Sequence, residues 1–158
     1  MEAIKNLCAF LTPQLNQEVH IGPWLRIDQQ RIDDFARVTG DQQWIHIDPQ
    51  RAAKDSPYGT TIAHGYLTLS LLPLLTESNH PDFFAKNYPG MKYRVNYGLN
   101  RVRFPAAVRC GASIRARTRI DAFEEVKNGV QIDYLLTIEI AGEEKPACVA
   151  EFLARVYP

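Results

Sequence analysis

The sequence predicts an α+β protein in which one apolar helix is laid along a curved antiparallel sheet. Three observations predict it. Ile62 to Thr76 is apolar nearly all round, as a helix wrapped by a sheet requires. Ser113 to Ile120 alternates strictly, with Ile114, Ala116, Thr118 and Ile120 on one face and Arg115, Arg117 and Arg119 on the other. Gln131 to Ile140 alternates too, and Lys127-Asn128-Gly129 before it is a hairpin signal. A helix followed by a meander of strands gives this class.

The remaining elements follow in chain order. Ile4 to Leu11 is weakly helical and stops near Pro13. Glu18 to Ile27 reads as a strand. Asp28 is a good N-cap, with Ile32, Phe35, Ala36 and Val38 recurring at roughly helical spacing until Thr39-Gly40. Asp48-Pro49 offers a second cap with proline in the first turn, so Gln50 to Lys54 is expected as a short helix. Asp55 to Gly59 is a loop by its turn residues. Pro73 is expected to kink the apolar helix or to close its regular portion. Glu143-Glu144-Lys145 marks a turn before a last strand, Ala147 to Val156.

Length and composition bound the rest. The 158 residues read as one domain, 1–158, with no internal repeat and no low-complexity linker. With 46% hydrophobic and 23% charged residues the chain is globular rather than disordered. Its 18 basic and 18 acidic side chains cancel, which removes any global electrostatic case for nucleic acid or an anionic membrane. Cys8, Cys110 and Cys148 show no paired spacing, so they read as apolar fillers in a reducing compartment, not as a disulfide framework or a metal site. No secretory signal is visible, and Ile62 to Leu75 is too short to span a bilayer. A cytoplasmic protein is expected.

The chemistry concentrates in Gly40-Asp-Gln-Gln-Trp-Ile-His-Ile-Asp48. Asp41 and His46 are five positions apart, in a turn just after a helix. A carboxylate and an imidazole so placed can grip one water molecule, the equipment for adding water to an activated double bond or removing it. Ile62-Ala63-His64-Gly65 then opens the apolar helix, where free N–H groups can receive a developing oxyanion. Taken singly, Asp41 reads as a turn or cap residue and His46 as a satisfied core histidine. Asp48 reads as the cap of the next helix. The pair and the downstream His64-Gly65 together favour catalysis.

Three blocks carry a resemblance to the MaoC-like dehydratase family, which includes the (R)-specific enoyl-CoA hydratases. They are Phe35 to Asp48, Ile62-Ala-His-Gly65, and Asn96-Tyr-Gly-Leu-Asn-Arg-Val-Arg-Phe-Pro105. The third resembles the subgroup named after nodulation protein N, and the match spans roughly residues 15 to 157. The resemblance implies the hot-dog fold, a bent antiparallel sheet around one long helix. It places the catalytic aspartate on Asp41, the catalytic histidine on His46 and the oxyanion-binding N–H on Gly65. It implies a trans-2-enoyl-CoA or (R)-3-hydroxyacyl-CoA substrate, no metal or other cofactor, and a homodimer with a continuous sheet. His64, Asn100, Arg101 and Arg103 are further candidates for substrate contact, the arginines because guanidinium groups suit phosphates. Structural roles for His64, Tyr97 and Asn100, and a solvated strand face for the arginines and the Arg115 stripe, compete with that reading. Gln43-Trp44 replaces the Asn-Pro of many members, and Pro73 stands where some (R)-hydratases have serine. The rival functions are a hot-dog thioesterase and a non-catalytic acyl-thioester binder.

Overall fold

The computed structural model describes residues 2–158. In chain order the elements are α1 (Glu2–Leu11), a 3-10 turn (Thr12–Gln14), β1 (Glu18–Ile21), β2 (Leu25–Arg26), α2 (Gln29–Thr39), α3 (Trp44–Ile47), α4 (Pro49–Asp55), α5 (Gly65–Ser70), α6 (Leu72–Leu75) and α7 (Pro81–Asn87). Four long strands complete the chain: β3 (Tyr93–Arg103), β4 (Ser113–Val126), β5 (Gly129–Ile140) and β6 (Cys148–Tyr157). They form one antiparallel sheet in the order β1-β4-β5-β6-β3, with β2 also on β4. The alternating residues of β4 and β5 turn Ile114, Ala116, Ile120, Ile132, Leu136 and Ile138 onto one buried face. That face packs with Leu67, Leu71, Leu72 and Leu75 of α5–α6 and with Ile4, Leu7 and Leu11 of α1 in a single core. The arrangement is the hot dog.

Two elements differ from the sequence expectation for reasons of backbone chemistry. The central helix does not run unbroken from Ile62 to Thr76. It starts at Gly65, because Ala63 N–H donates to the Val108 carbonyl (2.8 Å) and Cys110 N–H to the Thr61 carbonyl (2.9 Å), holding residues 61–63 extended. It breaks at Leu71, where Pro73 has no N–H for the Leu69 carbonyl and its ring crowds that turn. The expected strand from Glu18 to Ile27 is likewise divided at Gly22-Pro23 into β1 and β2.

Three elements lay outside the sequence expectation. α7 buries none of its residues, so it has no apolar stripe to read. β3 carries two register shifts, at Asn96/Gly98 and Leu99/Arg101, which cancel any period of two. α3 is a single turn within the stretch expected to be irregular. A shift between Ile120 and Ala122 also lets β4 run on to Val126, past the end of its strict alternation. The hairpin signal is real. Val126 lies opposite Gly129, and Asn128 takes the left-handed conformation at φ 63°. Among the described residues no helix is long and apolar enough to cross a membrane.

Gly22 couples the edge of the sheet to the end of the central helix. Its N–H donates to the Ala116 carbonyl (2.9 Å), and a Cβ there would strike the Leu75 carbonyl. Backbone on both sides leaves little room to yield. Gly22→Ala is therefore expected to destabilise the fold by about 1–3 kcal/mol in urea unfolding, the usual effect of overpacking. A change within experimental error would show that the helix end is not clamped.

Candidate active site

α2 sets up the site. The Asp28 carboxylate accepts from Arg31 N–H at its start, and Gly40 at φ 80° ends it, turning the chain so that Asp41 follows directly. Asp48 caps α4 by accepting from Arg51 N–H (2.9 Å), as expected. Between these caps lies α3, with Gln43 as its N-cap residue and Trp44 beneath the Arg51 guanidinium at 4.3 Å. The turn carries His46 inward, where only 7% of the residue is accessible, while Asp41 remains exposed.

Buried hydrogen bonds determine what each ring can do. His46 Nδ1 lies 2.7 Å from the Ile62 carbonyl, which can only accept, so Nδ1 holds the proton and Nε2 is a free base. Ile62 N–H returns a bond to the Ile45 carbonyl (3.0 Å), lacing α3 to the strand-like segment before α5. His64 Nε2–H donates to the Asp41 backbone carbonyl (2.9 Å), and the two imidazoles stack with centroids 3.7 Å apart. Phe35 flanks His64 at 5.0 Å. His64 is thus a brace on the Asp41 loop, and its Nδ1 is buried without a partner. Burial lowers the His46 pKa below its ordinary 6.5, the bond to Ile62 and the charge of Asp41 opposing this and the His64 ring reinforcing it.

Sequence reasoning missed Gln29, which holds the turn from beneath. Its amide donates to the His46 carbonyl (2.7 Å) and to Asp33 (2.8 Å), and its oxygen accepts from Thr61. One glutamine in an amphipathic helix gives no sign of this in a sequence. Gly65 is the first residue of α5, where backbone N–H groups lack helical partners. A Cβ there would lie 3.1 Å from the Phe104 ring, so the glycine admits Phe104. That contact brings the end of β3, and Arg103 with it, to the start of α5.

One donor atom each from Asp41, His46 and His64 lies within 4.8 Å of the others. A water making two hydrogen bonds of about 2.8 Å can bridge such a gap. The cluster also corrects the expectation that no potential metal ligands would gather. It fits an ion poorly, since an imidazole binds metal in its own plane and these rings are stacked only 26° from parallel.

The remaining candidates lie on the sheet. Asn100, Arg101 and Arg103 are exposed on β3; Arg101 pairs with Glu151 (3.6 Å), whereas among the described residues Arg103 donates only to the Val102 carbonyl. The Arg115 stripe is neutralised by its neighbours. Arg115 and Arg117 share Glu139, Arg117 also binds Glu18, and Arg119 binds Asp121. That is the solvated strand face, and it offers no spare phosphate site.

Comparison with known proteins accords with this geometry. Residues 11–139 match the family model described as the MaoC like domain. The chain belongs to the MaoC-like dehydratase family. It is 46% identical over 148 residues to 3-hydroxyacyl-thioester dehydratase Z of Mycobacterium tuberculosis, with 93% of each chain covered. It is 39% identical over 141 residues to nodulation protein N of Rhizobium meliloti, covering 89% of this chain and 84% of that one. Among solved structures, an Archaeoglobus protein described as a monoamine oxidase regulatory protein superposes with a TM-score of 0.76 at 22% identity, covering 93% and 92% of the two chains. These matches bear out the resemblance drawn from the three sequence blocks.

Because its folded-state pKa is lowered, His46 makes a pH-dependent contribution to stability with a definite sign. Above 6.5 the ring is neutral in both states. Below that value the unfolded chain takes up a proton that the buried ring resists, so stability falls with pH. The melting temperature is expected to drop between about pH 7 and pH 5, and to drop less in His46→Asn. An equal slope in both proteins would show that this ring is not the group responsible.

Proposed function

We propose that the protein is an (R)-specific enoyl-CoA hydratase, which in reverse is a 3-hydroxyacyl-CoA dehydratase. The observation that carries this reading is the free His46 Nε2, held by its Nδ1 bond to Ile62, beside the Asp41 carboxylate. Asp41 and His46 would hold one water between them. Its oxygen bonds to the β-carbon of the enoyl thioester as the double-bond electrons move toward the thioester oxygen. One proton of that water passes to the Asp41/His46 pair and a proton is returned to the α-carbon, so the sum is addition of water alone. The Gly65 N–H, at the opening of α5, would stabilise the enolate-like oxygen, a contribution of about 3–4 kcal/mol by analogy with other oxyanion holes. Burial keeps His46 neutral near pH 7, the form able to take a proton. The reading requires no metal or other cofactor, and the three free cysteines suit a cytoplasmic setting.

The relative named a 3-hydroxyacyl-thioester dehydratase, nearly half identical along the whole chain, supports the same reaction class. A second copy of the chain belongs to the reading. β3 is an eleven-residue edge strand, paired to β6 on one side only, and Tyr93, Val95, Tyr97 and Leu99 are exposed along it. An edge so long and apolar invites antiparallel pairing with its equivalent in another subunit, whereas the other edge is broken into the short β1 and β2. Arg103, free of a carboxylate and close to the start of α5, is the cation best placed for a phosphate of the thioester carrier.

Loss of enoyl-thioester absorbance from crotonyl-CoA tests the assignment. Wild type is expected to hydrate it, and Asp41→Asn and His46→Asn each to lose about 10²–10⁴-fold in kcat with the fold intact. Full activity in Asp41→Asn would overturn the mechanism. Release of free thiol without hydration would make the protein a thioesterase, and neither reaction would leave a binder.

A further inference from the structure

A cavity of about 390 Å³ does not touch Asp41 or His46. It lies farther along the central helix, walled by Leu69, Leu72, Pro73 and Thr76 on that side and by the inner face of the sheet on the other. These residues follow Gly65 by four, seven, eight and eleven positions and so continue one side of the helix away from it. At 1.5 Å per residue Leu69 stands about 6 Å along α5 from Gly65, and the other three lie past the break at Leu71. An acyl chain whose thioester carbonyl meets the Gly65 N–H would run into this space.

The far end of the cavity is not built for a methyl group. Arg94 stands in its wall, part-buried, with its guanidinium 5.1 Å from the Phe152 ring centre. One nitrogen donates to Ser78 Oγ (2.9 Å), but Nε is buried without a partner, and among the described residues Arg94 forms no salt bridge. Thr118, 93% buried, has an unpartnered hydroxyl in the same wall. His20 Nε2, 3.1 Å from Glu77, lacks hydrogen-bond geometry there. Of five buried side-chain polar atoms without a hydrogen bond among the described residues, three therefore belong to residues lining this one cavity. The Tyr88 and Tyr134 hydroxyls, bonded to each other at 2.9 Å, add a further polar pair. A part-buried cation without a counter-ion, among unsatisfied polar groups, is costly unless a ligand completes it.

We propose that the acyl chain of the substrate carries a carboxylate at its far end, and that Arg94 receives it inside this cavity. The inference rests on the thioester reading above and deepens it. The guanidinium fork matches a carboxylate in two-point geometry, and the Tyr134 ring lies 6.0 Å from it, its hydroxyl and that of Tyr88 leaving one O–H between them free to donate. Glu77, next in sequence to the Ser78 that Arg94 binds, is exposed, faces His20 and is not part of the cavity wall. A chain ending in methyl would bury Arg94 with no exchange for its lost water.

The test compares wild type, Arg94→Leu and Arg94→Lys on 2-enoyl-CoAs of equal length ending in carboxylate, hydroxyl or methyl. Wild type is expected to favour the carboxylate over the methyl by about 10–100-fold in kcat/KM, the range of a hydrogen bond to a charged group. Arg94→Leu should reverse that ratio, chiefly through KM, and Arg94→Lys should retain part of it. A merely structural arginine would lower all three rates together and leave the ratio alone, and that result would overturn the proposal. Calorimetry with the saturated carboxylate-ended and methyl-ended acyl-CoAs repeats the comparison without turnover. If no enoyl-CoA is hydrated yet the carboxylate-ended ligand binds more tightly and loses its advantage in Arg94→Leu, the hydratase reading fails and the cavity assignment stands. Equal binding of the two ligands would refute it.

Discussion

The hydrogen bond from His46 Nδ1–H to the Ile62 carbonyl is the constraint around which the site is assembled. It is 2.7 Å long and buried, and it joins two stretches of chain sixteen residues apart. It fixes the tautomer, so that the one nitrogen left to do chemistry is Nε2. It also fixes the segment from Thr61 to Ala63, whose extended form delays the central helix until Gly65 and leaves that residue's N–H at its opening. Without this bond the imidazole would have no defined basic nitrogen; the start of α5 rests besides on the backbone bonds of Ala63 to Val108 and of Cys110 to Thr61. The stacked His64, tied to the Asp41 carbonyl, extends the same logic to the carboxylate. Two histidines spend one nitrogen each on backbone carbonyls and thereby set the position of the acid, the base and the helix.

Much of this was legible in the sequence, for reasons that can be named. Asp28, Gly40 and Asp48 are caps whose requirements are local, and each is found as expected. The strict alternation of β4 and β5 follows from one buried face, and it gave the sheet its core. Where alternation is interrupted by bulges, as in β3 and beyond Ile120, the pattern fails as a guide although the strand continues. Asp41, His46 and Gly65 were recognisable because family motifs name them. Gln29 was not, because its role depends on a contact with a residue seventeen positions away. The stacking of His64 on His46 and the approach of Phe104 to Gly65 are likewise tertiary facts, with no local pattern to announce them.

The fold divides labour along its central helix. Asp41 and His46 lie beside His64 at the opening of α5, and the cavity runs from Leu69 past the break at Leu71. Pro73, the departure from some (R)-hydratases, is both the residue that interrupts the helix and part of the cavity wall. The same substitution therefore changes backbone and pocket together. The sheet supplies the opposite wall, and the free edge of β3 carries residues at both ends of this path: Arg94 beside the cavity and Arg103 toward Gly65. In the proposed reading, reaction type and acyl preference belong to separate parts of one structure.

The most direct test of this arrangement is the state of the His46 ring in solution, read from its ring ¹⁵N chemical shifts at neutral pH. A protonated Nδ1 and a bare Nε2 are expected, with the second proton taken up only at a lower pH than an ordinary imidazole requires, because burial disfavours the charged ring. A proton on Nε2, or a ring already doubly protonated at neutral pH, would contradict it, since no basic nitrogen would then stand beside Asp41.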